Sequence, residues 1–111
     1  MISTSLKQEI SQLEANFCFA FSEPTRILIL YALSETPRNV SDLTKELGTN
    51  QPTISRHLKV LRDRGLVITS RQGTTVTYQI SDNRLIEALD ILRSIMRDQL
   101  THQASLVNEL G

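Results

Sequence analysis

Residues 41–80, SDLTKELGTNQPTISRHLKVLRDRGLVITSRQGTTVTYQI, contain the patterns that predict the fold of this chain. Its first part predicts two short helices over residues 41–64, separated by a tight turn that begins at Gly48. Ser41 is the expected N-cap of the first helix and Asn50 that of the second, because side-chain oxygens at this position satisfy free backbone amides. Two short helices joined by a glycine-containing turn indicate a helix-turn-helix unit.

A β-hairpin is predicted directly after this unit, over residues 66–80. β-branched residues dominate both arms, and Gln72-Gly73 supplies a short glycine-containing turn between them. A hairpin in this position is the wing of a winged helix-turn-helix domain. The expected fold class is therefore mainly α with a β-hairpin wing.

The N-terminal part of the chain predicts two more helices. The first spans residues 1–21 and carries an apolar stripe, because Leu6, Ile10 and Leu13 recur at helical spacing. The second begins at Pro24, which is well tolerated in a first helical turn. It is apolar on most sides, so we expect it at the centre of the core.

The last predicted helix spans residues 84–109, and Asp82 or Asn83 is expected to cap it. Its apolar positions mostly recur at spacings of three and four: Leu85, Leu89, Leu92, Met96, Leu100, Leu106 and Leu110. A stripe this long needs the first helix, a partner chain, or both to cover it. We therefore expect one domain, residues 1–111, that dimerises through its terminal helices. Packing of the two terminal stripes within one chain is the alternative.

The charges of the chain are unevenly distributed although its formal net charge is zero. Residues 41–80 carry six basic and three acidic side chains, a net charge of +3, whereas residues 1–40 and 81–111 carry −1 and −2. A local basic patch attracts phosphates whatever the total charge. The distribution favours a nucleic-acid partner.

The composition also bears on location. No apolar run approaches the roughly 18 residues of a membrane span, and the first residues lack the apolar stretch of a secretory signal. The single cysteine, Cys18, excludes an intrachain disulfide framework and suits a reducing compartment. We therefore expect a cytoplasmic protein without membrane contact.

The second helix of the helix-turn-helix unit has two faces. Ile54, Leu58 and Leu61 share one stripe, and the other positions carry hydroxyls and cations with no carboxylate before Asp63. The first residues of a recognition helix reach base edges in the major groove, where Gln and Arg can bond adenine and guanine in a bidentate way. The expected base-reading residues are Gln51, Thr53, Ser55 and Arg56. The expected ligands for phosphates or an adjacent minor groove are Lys59, Arg62, Arg71 and Gln72.

The chain resembles the ArsR/SmtB family over about residues 10 to 90. The motifs that carry the resemblance are SEPTRIL at 22–28, SDL at 41–43, QPTISRHLKVLR at 51–62, GLV at 65–67, RQG at 71–73 and the later Tyr78. The resemblance implies a homodimeric winged-helix repressor that binds a palindromic site in double-stranded DNA and releases it on binding an effector. It also implies that the first and last helices form the dimer.

The metal sites of that family are not matched here. One family site needs a Cys-x-Cys pattern on the helix before the recognition helix, and residues 40–45 contain no thiol. Another needs Asp-x-His on the last helix, where this chain has Asp98 and His102 four residues apart. Two copies of that pair across a dimer could still supply four ligands. We nevertheless expect no metal or other cofactor, and the effector is unknown.

Two further side chains carry alternatives. The aromatic neighbours of Cys18 favour a buried thiol that packs as a small hydrophobe. The other interpretation is a redox sensor whose oxidation weakens DNA binding. His57 is expected to be a packing or DNA-proximal residue and not a metal ligand.

Two other classes of function compete with DNA binding. One is a winged-helix module that binds protein and ignores DNA at moderate salt. The other is an enzyme, which is disfavoured because the sequence contains no phosphate loop, no Cys–His or Ser–His–Asp constellation and no zinc-hydrolase pattern.

Overall fold

The computed structural model describes residues 1–110, without the side chain of Leu110. The stripe position Leu110 and the terminal residue Gly111 of the expected domain thus lie outside the part whose side chains are described. In chain order the elements are α1 (Thr4–Leu13), a π-helical segment (Glu14–Cys18), α2 (Pro24–Glu35), α3 (Val40–Leu47), α4 (Gln51–Asp63), β1 (Val67–Gln72), β2 (Thr75–Ile80) and α5 (Arg84–Leu110). This order confirms the expected winged helix-turn-helix fold.

The first helix of the helix-turn-helix unit begins two residues earlier than a cap at Ser41 would place it. Its N-cap is Asn39 and not Ser41: the Asn39 side-chain oxygen accepts a hydrogen bond of 2.8 Å from the backbone N–H of Asp42. Asn and Ser are equally good caps, so composition could not choose between positions two residues apart. The cap at Asn39 extends α3 back to Val40, which packs against the core.

The turn between α3 and α4 follows the sequence expectation. Gly48 ends α3 with φ +63°, a left-handed conformation that favours glycine. Asn50 caps α4, because its side-chain oxygen accepts a hydrogen bond of 3.0 Å from the backbone N–H of Thr53.

The wing is a two-stranded antiparallel hairpin whose turn lies one residue later than expected. Gln72 still pairs with Thr75, so the two loop residues are Gly73-Thr74 and not Gln72-Gly73. Gly73 has φ +63°, and a two-residue hairpin loop with glycine first needs a positive φ there. Tyr78 of β2 also exchanges backbone hydrogen bonds of 2.8 and 3.0 Å with Arg38, which ties the wing to the connection before α3.

The core lies between α2, α3, α4, the start of β1 and the first turns of α5. α2 is central, as its composition predicts, and Ile29 and Leu30 in it are fully buried. The other buried apolar side chains are Ala20, Ala32, Leu33, Leu43, Ile54, Leu58, Leu61, Leu66, Val67 and Leu89. These contacts hold α4 on the body of the domain by one face only.

The two terminal helices are largely uncovered in a single chain. α1 contains no buried residue. The radius of gyration is 17.6 Å, against about 13 Å for a compact chain of this length. The described part of the chain contains no helix that is long and apolar enough to cross a bilayer.

Candidate nucleic-acid interface

α4 divides into the two faces that its sequence predicts. Ile54, Leu58 and Leu61 are at most 1% exposed. The opposite face is exposed and carries four of the predicted DNA-binding residues: Ser55, Arg56, Lys59 and Arg62. Because the buried stripe fixes the rotation of the helix, the hydroxyl and the three cations are held outward together.

The wing closes one side of this outward face. Ser55, Lys59 and Arg62 of α4 line a notch of about 200 Å³ together with Leu58 and with Tyr78 of β2. Tyr78 is half-buried, and the sequence pointed to it only as part of the family resemblance. The notch offers cations and hydroxyl groups, which are phosphate-binding chemistry.

The other predicted site residues lie around this centre. Gln51 is exposed at the first turn of α4, and Arg71 and Gln72 are exposed at the end of β1, beside the hairpin turn. Thr53 is half-buried. It lies away from Ser55, because residues two apart on a helix are separated by about 200°. Thr53 shares with the other predicted base-reading residues only its position in the first turns of α4.

The cations of this surface differ in their ion pairing. Lys59 forms an ion pair of 2.9 Å with Asp63, which lies one turn further along α4. The hydrogen bond from Lys59 lowers the pKa of the Asp63 carboxyl. Within the described residues Arg56, Arg62 and Arg71 make no ion pair. These arginines can therefore bind phosphates or bases without breaking an ion pair to another described residue.

Behind α4 lies a buried polar pair that the sequence did not predict. Arg26 of α2 is 5% exposed and His57 of α4 is 3% exposed, and Arg26 Nη1 lies 3.3 Å from His57 Nδ1. A charge inside the otherwise apolar run of α2 was the available signal, because a buried cation requires acceptors around it. Of the two roles expected of His57, packing or proximity to DNA, its burial supports packing.

The expectation that Cys18 is buried in the core is wrong for the single chain. Phe17 and Phe21, four residues apart, pack against the core, whereas Cys18 between them is exposed. Adjacent residues of a helical segment project about a quarter of a turn apart, so Cys18 points away from the face that its aromatic neighbours share. The thiol lines an open hollow with Glu14, Ala15, Phe19, Ser22 and Arg64. A sensor role for it stays a prediction.

Asp98 and His102 both lie exposed on α5. Within the described part of one chain, no group of three or more His, Cys, Asp or Glu side chains is placed to hold a metal ion.

A short helix, a tight turn, a second helix with an outward cationic face and an adjoining hairpin define a class. The fold and the site are those of a winged helix-turn-helix DNA-binding protein.

Comparison with known proteins places the chain within that class. The profile described as "Bacterial regulatory protein, arsR family" matches residues 23–69. The HTH-type transcriptional regulator NmtR of Mycobacterium tuberculosis is 33% identical over 88 residues, which cover 79% of this chain and 73% of NmtR. The chain belongs to the ArsR family of transcriptional regulators.

Two solved structures show the same architecture. The homodimeric winged helix-turn-helix DNA-binding domain Mb0332 of Mycobacterium bovis matches with a TM-score of 0.76 and 26% identity, covering 91% of this chain and 93% of that one. The transcriptional repressor BigR of Xylella fastidiosa matches with a TM-score of 0.71 and 26% identity, covering 85% and 96%.

Proposed function

We propose that this protein is a homodimeric repressor that binds a palindromic site in double-stranded DNA. The observation that carries the proposal is the outward face of α4, where exposed cations and hydroxyls lie beside the wing. Among the residues that the structure describes, Arg56 and Arg62 form no ion pair. In a dimer the two α4 helices enter successive major grooves, about 34–36 Å apart.

The exposed apolar surface of the two terminal helices supports the proposal that the protein is a dimer. On α5 the apolar stripe continues beyond the buried Leu89 as Leu92, Met96 and Leu100, which are 57%, 52% and 58% exposed. On α1 the apolar stripe is also exposed. Monomeric proteins rarely expose contiguous apolar surface of this kind, and a second copy presents the same two helices. The Mycobacterium bovis relative is a homodimer.

The eight predicted contact residues take different roles in this proposal. Those at the start of α4 read base edges: Gln51, Thr53, Ser55 and Arg56. Those further along α4 and at the wing neutralise phosphates or meet the adjacent minor groove: Lys59, Arg62, Arg71 and Gln72. Repression then follows from occupancy, because a dimer bound across two grooves excludes other proteins from the same DNA.

Selection from a random-sequence duplex library with the purified full-length protein tests the proposal. We expect enrichment of an inverted repeat, and binding of the enriched duplex that weakens steeply with salt, since phosphate neutralisation releases counterions. A protein-interaction module without DNA recognition would enrich no sequence. That result would remove the proposal.

Arg56→Ala is expected to weaken binding to the enriched duplex by about 1–3 kcal/mol and to relax the preference at one base position. The reason is the loss of a side chain that can bond guanine in a bidentate way from the first turns of α4. Fluorescence anisotropy on the enriched duplex and on duplexes with single base changes measures both effects. Arg97→Ala, which removes an exposed cation from α5, is the matched control and should leave the base preference unchanged.

A further inference from the structure

Arg26 connects the end of the N-terminal helical region to α4. Its Nε donates to the carbonyl oxygen of Ala20 at 2.8 Å, and its Nη2 donates to the carbonyl of Phe19 at 2.9 Å and to Ser22 Oγ at 3.1 Å. The last carbonyl groups of a helix have no partner within the helix, and its C-terminal end favours a cation. These acceptors explain how a guanidinium group is tolerated when only 5% of the residue is exposed.

The third guanidinium nitrogen of Arg26, Nη1, faces His57. Arginine has no acceptor, so His57 Nδ1, 3.3 Å from Arg26 Nη1, must accept the hydrogen bond. That requires a neutral imidazole with its proton on Nε2. Protonation would remove the acceptor and place two cations against each other in a buried site.

The same region meets α4 at a second point. The guanidinium carbons of Arg26 and of Arg64, the residue that ends α4, lie 5.3 and 4.7 Å from the centre of the Phe19 ring. Both distances are in the range of cation–π contacts. The middle and the end of α4 are thus both attached to residues that directly follow the π-helical segment.

We propose that Arg26 is a positioning residue that holds α4 in its DNA-binding orientation through a neutral His57, and that protonation of His57 releases this hold. The inference rests on the proposed function, because it concerns how the DNA-reading helix is held. It predicts that DNA affinity falls on acidification. A histidine that merely lay near DNA would strengthen binding when it gained a positive charge.

The surroundings of His57 agree with this direction. Burial lowers the pKa of the imidazole, and the charges of Arg56 on α4 and Arg26 on α2 lower it further, against the opposing charge of Glu23 at the start of α2. The neutral form is therefore favoured at neutral pH. Because the folded-state pKa lies below the ordinary value of about 6.5, the contribution of this contact to stability is present above that pH and is lost as the pH falls through the folded-state pKa.

The test compares three proteins on a duplex enriched with the wild type at about pH 7.5: the wild type, His57→Asn and His102→Asn. Asparagine places its Oδ1 where Nδ1 stood and does not titrate, and His102 is the second of the two histidines in the chain. We expect wild-type affinity to fall about tenfold or more between about pH 7.5 and pH 5, as one pKa unit of coupling corresponds to a factor of ten. His102→Asn should show the same fall. His57→Asn should bind within about threefold of the wild type at neutral pH and lose most of the pH dependence.

Nitrogen-detected NMR of the imidazole rings, without DNA, is the second measurement. We expect neutral His57 in the Nε2–H tautomer, with a pKa below the ordinary histidine value of about 6.5. The proposal is overturned if wild-type affinity rises or stays constant on acidification, if His57→Asn keeps the pH dependence, or if His57 carries its neutral proton on Nδ1. Failure to enrich any duplex at neutral pH would instead remove the proposed function, and the NMR result would still decide how Arg26 and His57 are paired.

Discussion

Met96→Glu is expected to convert the protein from a dimer to a monomer and to weaken binding to a palindromic duplex by about a hundredfold or more, because the two half-sites are no longer bound by one linked pair. Met96 is 52% exposed in the single chain and continues the stripe that is buried at Leu89. A carboxylate on that stripe would be desolvated on dimerisation, and the two copies would place like charges near each other. Sedimentation equilibrium and anisotropy on full and half-site duplexes measure the two effects.

Ser94→Glu is the matched control for this substitution. It introduces the same side chain two residues away on α5, on the exposed polar side of the helix. We expect it to remain dimeric and to bind the palindromic duplex as the wild type does. A Met96→Glu protein that stays dimeric would show that the exposed stripe of α5 is not the dimer surface.

Leu30→Ala is expected to lower the free energy of unfolding by about 2–5 kcal/mol, the range for removing buried leucine side chains and leaving a cavity. Leu30 lies at the centre of α2 and is fully buried among the helices that hold α4. For a domain of this size that loss is a large fraction of the total stability. Urea unfolding followed by circular dichroism, at one fixed protein concentration because dimers unfold in a concentration-dependent way, measures it.

Leu28→Ala serves as the comparison for that experiment. It removes the same atoms from the same helix, but Leu28 is 53% exposed. We expect a loss below about 1 kcal/mol, as for substitutions outside a packed core. Equal losses for the two variants would contradict the assignment of α2 as the centre of the core.

Local chemistry explains why so much of the fold could be predicted. The turn at Gly48, the cap at Asn50 and the buried stripe of α4 depend on residues within one or two helical turns of each other. The errors were of the same local scale. α3 begins with Asn39 as its cap instead of Ser41, because two good capping residues compete. The hairpin turn lies one residue later than predicted, because a glycine fits either loop position.

The residue types of the site could be predicted from the sequence, but the contacts between its separate elements could not. Helical periodicity alone is enough to place Ser55, Arg56 and Lys59 on one exposed face of α4. It could not show that Tyr78 of the wing lines the same notch as Ser55 and Lys59, because the pairing of distant elements sets that contact. The prediction that Cys18 is buried failed for a related reason. Its aromatic neighbours pack on the core, but the thiol lies on another side of the helical segment.

Caps, turns and apolar periodicity act over a few residues, so they were enough to predict a winged helix-turn-helix protein with a cationic second helix. Arg26 and His57 are 31 residues apart, and their contact behind that helix could be found only in the folded chain. The physical reason is that a buried charge is tolerated only where separate elements bring acceptors to it. Here the end of the N-terminal helical region supplies the carbonyl oxygens of Phe19 and Ala20, and α4 supplies His57, to the guanidinium group that α2 carries.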